Sequence, residues 1–279
     1  MTDSASTQQT PHEFSPTAPA RDPHIHQYQG RSVYCYPESE SILQRLGFLE
    51  GKPAFVACDQ LPGRTQHPVY AIPESGRFMW KSCLRGGFLS RFNRKTYFSI
   101  GRFVSELILS DRLHRTGISS SKLLAFSATR TGLGFEVTQL VQLENDVISI
   151  SDMLQMEKRP PTREQIRCTG ALIHRFHHAG FLHGDLNLMN IMINADPNTP
   201  ARSVLVDLDP GSIPPGSDST GNLARLARSY AKIIKKGGTP LAMGDRYRFL
   251  YQATGGDRRL LKKALEQCTP MLPETERVR

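Results

Sequence analysis

Strand-like patterns dominate the first half of the chain. Short apolar runs, several with apolar and polar positions in alternation, occur at 54–58, 69–72, 78–83 and 135–141. A period of two is typical of strands that bury one face. Helical patterns interrupt this series at 42–48 and 101–113. The first half therefore predicts a mainly β unit that also carries helices.

Helical patterns dominate the second half. A short helix is expected at 148–156. A long one should begin at Thr162, because Gln165 follows three residues later and completes a capping-box pattern, and Gly180 suits its C-terminal end. A third, basic and amphipathic, is expected at 222–236. Between the second and third, the apolar run 191–193 and the residues before Asp207 predict two short strands joined by a turn at 196–200.

These patterns predict an α+β protein divided into three segments. Residues 1–30 are rich in Ser, Thr, Gln, Pro and His, and such a composition is typical of disorder. Residues 31–141 are expected to form a small, mainly β N-lobe. Residues 142–279 are expected to form a larger, mainly α C-lobe.

The composition fits a soluble globular protein, with 38% hydrophobic and 22% charged residues. No apolar run approaches the roughly 20 residues that span a bilayer. The N-terminus has no hydrophobic signal core, so we expect no export. The five cysteines stand singly, which favours reduced thiols in the cytoplasm over disulfides or a cysteine-based zinc site.

The formal net charge of +9 predicts an anionic partner. Residues 75–105 contain no carboxylate, and residues 222–279 contain 13 Lys or Arg against 5 Asp or Glu. Such runs are most often solvated faces. Within 85–95, however, cations alternate with large apolar side chains, a pattern that suits contact with an anionic membrane surface. No nucleic-acid partner is expected.

Three polar residues near the middle of the second half suit phosphoryl transfer. In the segment 183–190, Asp185 could accept the proton of an attacking hydroxyl, and Asn190 offers an amide oxygen to a hard cation. Asp207 closes the apolar run 204–206 and offers a carboxylate to Mg²⁺. Transfer of a phosphoryl group needs positioning and charge neutralisation, so a base with two metal ligands is a sensible minimal set. The spacing resembles the catalytic and metal loops of protein-kinase-like enzymes.

Two residues of the first half suit nucleotide binding. Lys81 lies in the third strand expected of such a fold and could neutralise ATP phosphates. Glu106 lies on the following helix and is expected to form an ion pair with Lys81. The loop before the second strand contains a single glycine, Gly63, so it falls short of a glycine-rich phosphate loop and also fits an ordinary hairpin.

Four histidines, at positions 174, 177, 178 and 183, also suggest a metal site. No cysteine lies nearby, and the adjacent Asp185 has a better use as the base. Packing and hydrogen bonding around the catalytic loop are therefore the preferred interpretation of this cluster, rather than zinc binding.

Five segments together resemble the lipopolysaccharide kinase family. They are the run 80–87 (WKSCLRGG), Tyr97-Phe98 with Gly101, Glu106, the stretch from 176–180 (FHHAG) into 183–187 (HGDLN), and 222–229 (NLARLARS). The resemblance covers roughly residues 60–235 and is greatest to kinases of 3-deoxy-D-manno-octulosonic acid (Kdo). Lys81 departs from that pattern, because many of these kinases carry Arg there.

The resemblance implies a two-lobed protein-kinase-like fold that uses ATP and Mg²⁺. It makes Asp185 the base, Lys81, Glu106 and Gly63 the nucleotide-binding residues, and Asn190 and Asp207 the metal ligands. The implied acceptor is a Kdo hydroxyl in a lipid A precursor, at the cytoplasmic face of the inner membrane, with the enzyme as a peripheral membrane protein. Two alternatives stay open: a kinase for a heptose or aminoglycoside-like acceptor, and an inactive kinase-like protein that binds membranes.

Overall fold

The structure is a computed structural model that describes residues 18–61, 66–84, 96–212 and 218–272. Its N-terminal part contains an eight-stranded antiparallel sheet and its C-terminal part is mainly helical, so the predicted α+β class is confirmed. The sheet ends with Gln142, and the next strand begins at Val147 in a different sheet.

Seven strands of the sheet lie in the order β1-β2-β7-β8-β5-β4-β3, and β6 pairs with β8 beside them. The strands and the two helices of this part are β1 (His24–Tyr28), β2 (Arg31–Cys35), α1 (Glu40–Leu46), β3 (Asp59–Leu61), β4 (His67–Ile72), β5 (Gly76–Ser82), β6 (Thr96–Tyr97), α2 (Gly101–Arg115), β7 (Lys122–Thr131) and β8 (Gly134–Gln142).

The alternation along β5 assigns its residues to opposite faces of the sheet. Phe78 and Trp80 pack with α1 residues such as Leu43 in one buried cluster. Lys81 belongs to the other face, where α2 packs through Phe103 against Phe126. Because successive side chains of a strand point to opposite faces, the lysine lies on the same side of the sheet as α2.

The C-terminal part consists of five helices and five short strands within the described residues. They are β9 (Val147–Ser149), α3 (Ile150–Gln155), α4 (Arg163–His178), β10 (Phe181–His183), β11 (Ile191–Asn194), β12 (Ser203–Leu205), β13 (Pro210–Ser212), α5 (Thr220–Lys235), α6 (Met243–Ala253) and α7 (Arg258–Cys268). β11 pairs antiparallel with β12, which confirms the two predicted strands before Asp207.

Helix α4 leads the chain into the segment that carries Asp185. Its first turn is held by the predicted capping box, in which the Thr162 hydroxyl accepts from the Gln165 amide and the Gln165 side chain accepts from the Thr162 amide. A Cβ at Gly170 would lie 2.6 Å from Cβ of Gln252, so only glycine allows α6 to pack this closely. The helix is thereby positioned at its first turn and at its middle.

Two sequence-based expectations for the N-terminal part are wrong where the structure describes it. Residues 24–28 form β1 and pair with β2, although residues 1–30 were expected to be disordered; residues 1–17 lie outside the described ranges. The polar composition of β1 concealed it, because an edge strand needs few apolar side chains. The run 54–58 is not a strand. Val56 is 90% exposed, and pairing with β4 begins only at Asp59.

None of the helices in the described ranges is both long enough and apolar enough to cross a membrane.

Candidate active site

Lys81 lies in β5 opposite Gln139 of β8. The register between β4 and β5 pairs Val69 with Met79. His67 lies two residues from Val69 and Lys81 two residues from Met79, so both project from the same face of the sheet, and Lys81 is near enough to affect the pKa of His67. Residues opposite each other in an antiparallel pair project from the same face. One face of the sheet therefore carries three polar side chains: Lys81, Gln139 opposite it and His67 in the neighbouring strand.

The segment 183–190, the catalytic loop, connects β10 to β11 and is held by its own asparagines. The Asn187 side chain accepts hydrogen bonds from the backbone amides of Met189 and Asn190. The Asn190 Nδ2 donates to the Asp185 carbonyl at 3.0 Å. This bond uses the amide nitrogen and not the oxygen, which is the atom that binds hard cations. The Asp185 side chain is exposed, so an acceptor hydroxyl can reach it.

His183 joins this loop to the strand that leads to Asp207. Its ring is buried; Nδ1 accepts from the Asp185 amide at 3.2 Å, and Nε2 donates to the Val206 carbonyl at 3.2 Å. Burial lowers the pKa of His183, and the bond to Val206 opposes this only in part. A neutral ring has one donor and one acceptor nitrogen, which is what these two bonds require. His183 therefore positions Asp185 relative to Asp207.

Asp207 has a backbone φ of 50°, in the left-handed region that residues other than glycine seldom adopt. Such strain persists only where the surrounding structure maintains it, and it is concentrated at functional sites. The carboxylate is 58% exposed, and its Oδ1 accepts a hydrogen bond from Lys81 Nζ at 2.6 Å. Residues from the two parts of the chain thus meet at this contact.

Within the described residues, Lys81 forms its ion pair with Asp207 and not with Glu106. The partner that the sequence had predicted was Glu106. Glu106 still acts on the lysine at a distance. Burial lowers the pKa of Lys81, but the Asp207 carboxylate and then Glu106 outweigh it, so that the pKa is raised. The ammonium group accordingly stays charged, as contact with phosphates requires.

Glu106 itself is partly buried. Burial raises the pKa of its carboxyl group to about 7, against the opposing effects of Gln139, Lys81 and Arg102. The ordinary pKa of this group is 4.5, so the raised pKa brings its change between neutral and ionised forms close to neutral pH.

Asp209, two residues after Asp207, contacts two other parts of the site. Its Oδ1 lies 3.5 Å from Arg102 of α2. On the opposite side, a Cβ at Gly184 would lie 2.5 Å from Asp209 Oδ2, and the Gly184 amide donates to the Asp209 carbonyl. Glycine at position 184 therefore allows the catalytic loop to approach Asp209 this closely.

Asn222, at the start of α5, holds the entrance to the catalytic loop. Its Nδ2 donates to the His183 carbonyl at 2.8 Å, and its Oδ1 accepts from the Nε2 of buried His177 at 3.0 Å. The preferred interpretation of the histidine cluster, hydrogen bonding around the loop, therefore describes His177 and His183. His174 and His178 instead stack on each other along α4.

Sequence reasoning missed His67 and Gln139. His67 is 7% exposed and Gln139 is 3% exposed. His67 Nδ1 is buried and has no hydrogen-bond partner among the described residues. The Gln139 side chain faces Glu106 and lowers the pKa of that carboxyl group by hydrogen bonding. Burial lowers the pKa of His67, with further effects of Lys81 and Asp207, which lie near it. No sequence motif marks either residue; only the strand register reveals them.

Some predicted residues lie outside the described ranges. Gly63 falls in the gap 62–65, and the cationic and apolar residues between 85 and 95 fall in the next gap. Their expected roles in covering phosphate and in contacting a membrane stay predictions.

An antiparallel sheet carries Lys81, and the helix with Glu106 packs on the same face of that sheet. The loop with Asp185 and Asn190 lies beside Asp207. The fold and the site together define a protein-kinase-like protein. The predicted fold is confirmed.

The model of the lipopolysaccharide kinase (Kdo/WaaP) family matches residues 72–249, which is more than half of the sequence. The chain belongs to this family, and the resemblance noted in the sequence is confirmed.

Named relatives agree with this. A 3-deoxy-D-manno-octulosonic acid kinase of Xanthomonas oryzae pv. oryzae is 34% identical over 164 residues, which cover 57% of this chain and 63% of that protein. One of Xylella fastidiosa is 32% identical over 186 residues, which cover 61% and 72%. The chain thus spans less than two thirds of the length of the Xanthomonas relative. A solved structure, WaaP in complex with acyl carrier protein, covers 85% of this chain at 12% identity and a TM-score of 0.49; likeness of that degree adds nothing on function.

Proposed function

We propose that this protein is an ATP-dependent sugar kinase that phosphorylates a hydroxyl of Kdo in an inner-core lipopolysaccharide precursor. The observation that carries the proposal is the meeting of Lys81 and Asp207 at 2.6 Å, next to the loop that holds Asp185 and Asn190. In this proposal residues 31–141 form the N-lobe and residues 142–279 the C-lobe, and the nucleotide binds between them.

The donor set fits ATP with Mg²⁺. The Asp207 carboxylate and the Asn190 amide oxygen are the oxygen ligands that Mg²⁺ prefers, and the charged Lys81 suits the phosphates. When bound, Mg²⁺ neutralises charge that develops on the transferred group. Glu106, once ionised, holds Lys81 by electrostatic attraction.

In the proposed reaction Asp185 accepts the proton of the Kdo hydroxyl. The hydroxyl oxygen forms a bond to the γ-phosphorus of ATP, and the bond from that phosphorus to the bridging oxygen breaks to release ADP. His183 positions Asp185 through the backbone amide and stays neutral throughout, since both its nitrogens are occupied by hydrogen bonds.

His67 belongs to the same proposal as a phosphate contact. It projects from the face of the sheet that carries Lys81, it lies near Lys81 and Asp207, and its buried Nδ1 has no partner among the described residues. A buried polar atom without a hydrogen bond costs free energy, so a ligand oxygen at this place stabilises it.

The family supports the proposed acceptor and location. A Kdo-bearing lipid A precursor stays in the bilayer, so we place the protein as a peripheral enzyme at the cytoplasmic face of the inner membrane. The Xanthomonas and Xylella relatives are named as Kdo kinases, which supports Kdo over a heptose or aminoglycoside-like acceptor. The complete set of Lys81, Glu106, Asp185, Asn190 and Asp207 supports activity over an inactive binding protein.

The test is a single reaction with matched acceptors. Purified full chain is incubated with Mg²⁺-ATP and a Kdo-bearing lipid A precursor, and the product mass is read. We expect a gain of one phosphoryl group, no gain with the precursor that lacks Kdo, and no gain with Asp185→Asn. Transfer to a heptose-bearing acceptor alone would replace Kdo in the proposal. ATP binding without transfer to any acceptor would favour the inactive protein.

A further inference from the structure

Four side chains with metal-binding atoms meet at the edge of the large sheet. They are His24 and His26 of β1, Cys35 of β2 and Glu40, the first residue of α1. The ligand atoms of His26, Cys35 and Glu40 all lie within 4.8 Å of one another. The cluster is separated from Lys81, since β2, β7 and β8 lie between β1 and β5 in the sheet.

The fold explains why these residues converge. His24 is paired with Cys35, and His26 with Val33, so these two histidines, the cysteine and the valine all project from one face of the hairpin. Helix α1 packs on that face, because Leu43 and Leu46 share a buried cluster with Val33 and Cys35. The beginning of α1 therefore brings Glu40 to the two histidines.

Contacts within the cluster already join three of its members. His26 Nε2 lies 3.0 Å from Glu40 Oε1, and His24 Nδ1 lies 3.5 Å from the same oxygen. The side chains of His24, His26 and Glu40 are partly exposed, so each of them has room to adjust. Cys35 is buried, and its place in the core fixes the sulfur as the rigid member of the group.

The donor set suits zinc. Imidazole nitrogen, thiolate sulfur and carboxylate oxygen are its usual ligands, at about 2.0–2.3 Å in tetrahedral arrangement. Tetrahedral ligands at those lengths are roughly 3.5 Å apart, so the ligand atoms of His26, Cys35 and Glu40 need to draw together by only about 1 Å. Movements of the exposed histidines and of Glu40 can provide it.

Cys35 has no evident use as a reactive thiol. Burial, with a smaller effect of Glu40, raises the pKa of its thiol to about 12. A bound cation reverses this balance, because thiols that ligate zinc are deprotonated. The S–H bond then breaks, the sulfur–zinc bond forms and the proton leaves to solvent.

We propose that His26, Cys35 and Glu40, with His24 as the fourth donor, bind one Zn²⁺ that fixes the N-terminal hairpin to α1. The site is structural, and it does not depend on the proposed kinase activity. The competing interpretation is an ordinary histidine–glutamate ion pair that lies over a buried cysteine.

The test uses the full chain, treated with a chelator and then titrated with zinc chloride in the absence of nucleotide. We expect one zinc per chain, release of a proton on binding and a higher unfolding temperature. His26→Gln and Cys35→Val should each weaken binding at least about tenfold, a loss of about 1.4 kcal/mol. Cobalt in place of zinc should show sulfur-to-metal charge-transfer absorption that Cys35→Val abolishes.

Matched controls separate this cluster from other ligands. His174→Gln alters the stacked histidine pair of α4, and Cys58→Ser alters an exposed thiol; neither should change zinc affinity. His26→Gln changes a partly exposed side chain, so it keeps the test valid even if Cys35→Val does not fold. Absence of zinc binding by the parent chain, unchanged affinity in His26→Gln, or loss of binding in His174→Gln would overturn the proposal.

Discussion

The Lys81 ammonium group donates to the Asp207 carboxylate at 2.6 Å, although 126 residues separate them in the chain. This contact unites the residue expected to bind phosphates with the residue expected to bind the metal. The lysine also responds to a second carboxylate, since Glu106, partly buried on α2, contributes to its raised pKa.

We therefore expect Lys81 and Glu106 to act as one unit in catalysis. Lys81→Met removes the charge, and Glu106→Gln removes the attraction that holds it. Their effects on kcat/KM should be non-additive, because either change disturbs the same phosphate contact. A double-mutant cycle measures this. If the double variant loses activity by the product of the two single losses, the residues act independently.

Asp185→Asn should separate binding from chemistry. The amide keeps the shape of the side chain and cannot accept the proton, so transfer to the Kdo acceptor should fall about 100-fold or more. Nucleotide affinity, measured by calorimetry, should persist. Asp207→Ala should instead weaken binding of Mg²⁺-ATP itself. Near-normal turnover by Asp185→Asn would exclude this residue as the base.

The raised pKa of Glu106 predicts how stability depends on pH. Its pKa is about 7 in the folded protein and 4.5 ordinarily, so the folded state holds the proton more tightly. The stability from the neutral carboxyl group is fully present below pH 4.5 and is lost as pH rises through 7. The shift corresponds to roughly 3 kcal/mol.

Urea unfolding between pH 4.5 and 8 measures this effect. Relative to Glu106→Gln, the parent chain should lose stability as pH rises across that interval. Glu136→Gln, a change at an exposed position of β8, serves as the control and should follow the parent chain. Parallel curves for the parent and Glu106→Gln would show that folding does not shift the pKa of Glu106.

His67→Ala should impair nucleotide binding more than turnover. A hydrogen bond to a charged phosphate oxygen is worth about 1.5–3 kcal/mol, so KM for ATP should rise about 10- to 100-fold. KM for the Kdo acceptor should change little. His174→Ala, a histidine of α4 in the C-terminal part, serves as the control. An unchanged KM for ATP in His67→Ala would remove this residue from the phosphate site.

Asn222→Ala should loosen the catalytic loop. It leaves the His183 carbonyl and the buried His177 ring without their partner, which costs about 1–3 kcal/mol of unfolding free energy. Turnover should fall as well, because His183 positions Asp185. Asn198→Ala, in the exposed turn between β11 and β12, is the matched control for both measurements.

The sequence by itself determined the local features of this protein. The capping box of α4, the helix that carries Glu106, the strand that carries Lys81 and the α+β class all follow from neighbouring residues at regular spacing. Short-range periodicity and hydrogen bonding within a few residues decide such features. The family was recognisable for the same reason, since its motifs are short and continuous.

Only the tertiary structure decided which residues meet across those elements. Strand register and helix packing determine these contacts. They are the ion pair of Lys81 with Asp207, the hydrogen bond from Asn222 to His183, the position of His67 and the cluster around Cys35. A shift of register by one residue would turn His67 or His26 to the opposite face. The polar composition of β1 gave no sign of a strand. Pairing with β2 and contact with α1 nevertheless order it. Contacts between distant residues arise from the packing of the whole chain, and no local pattern records them.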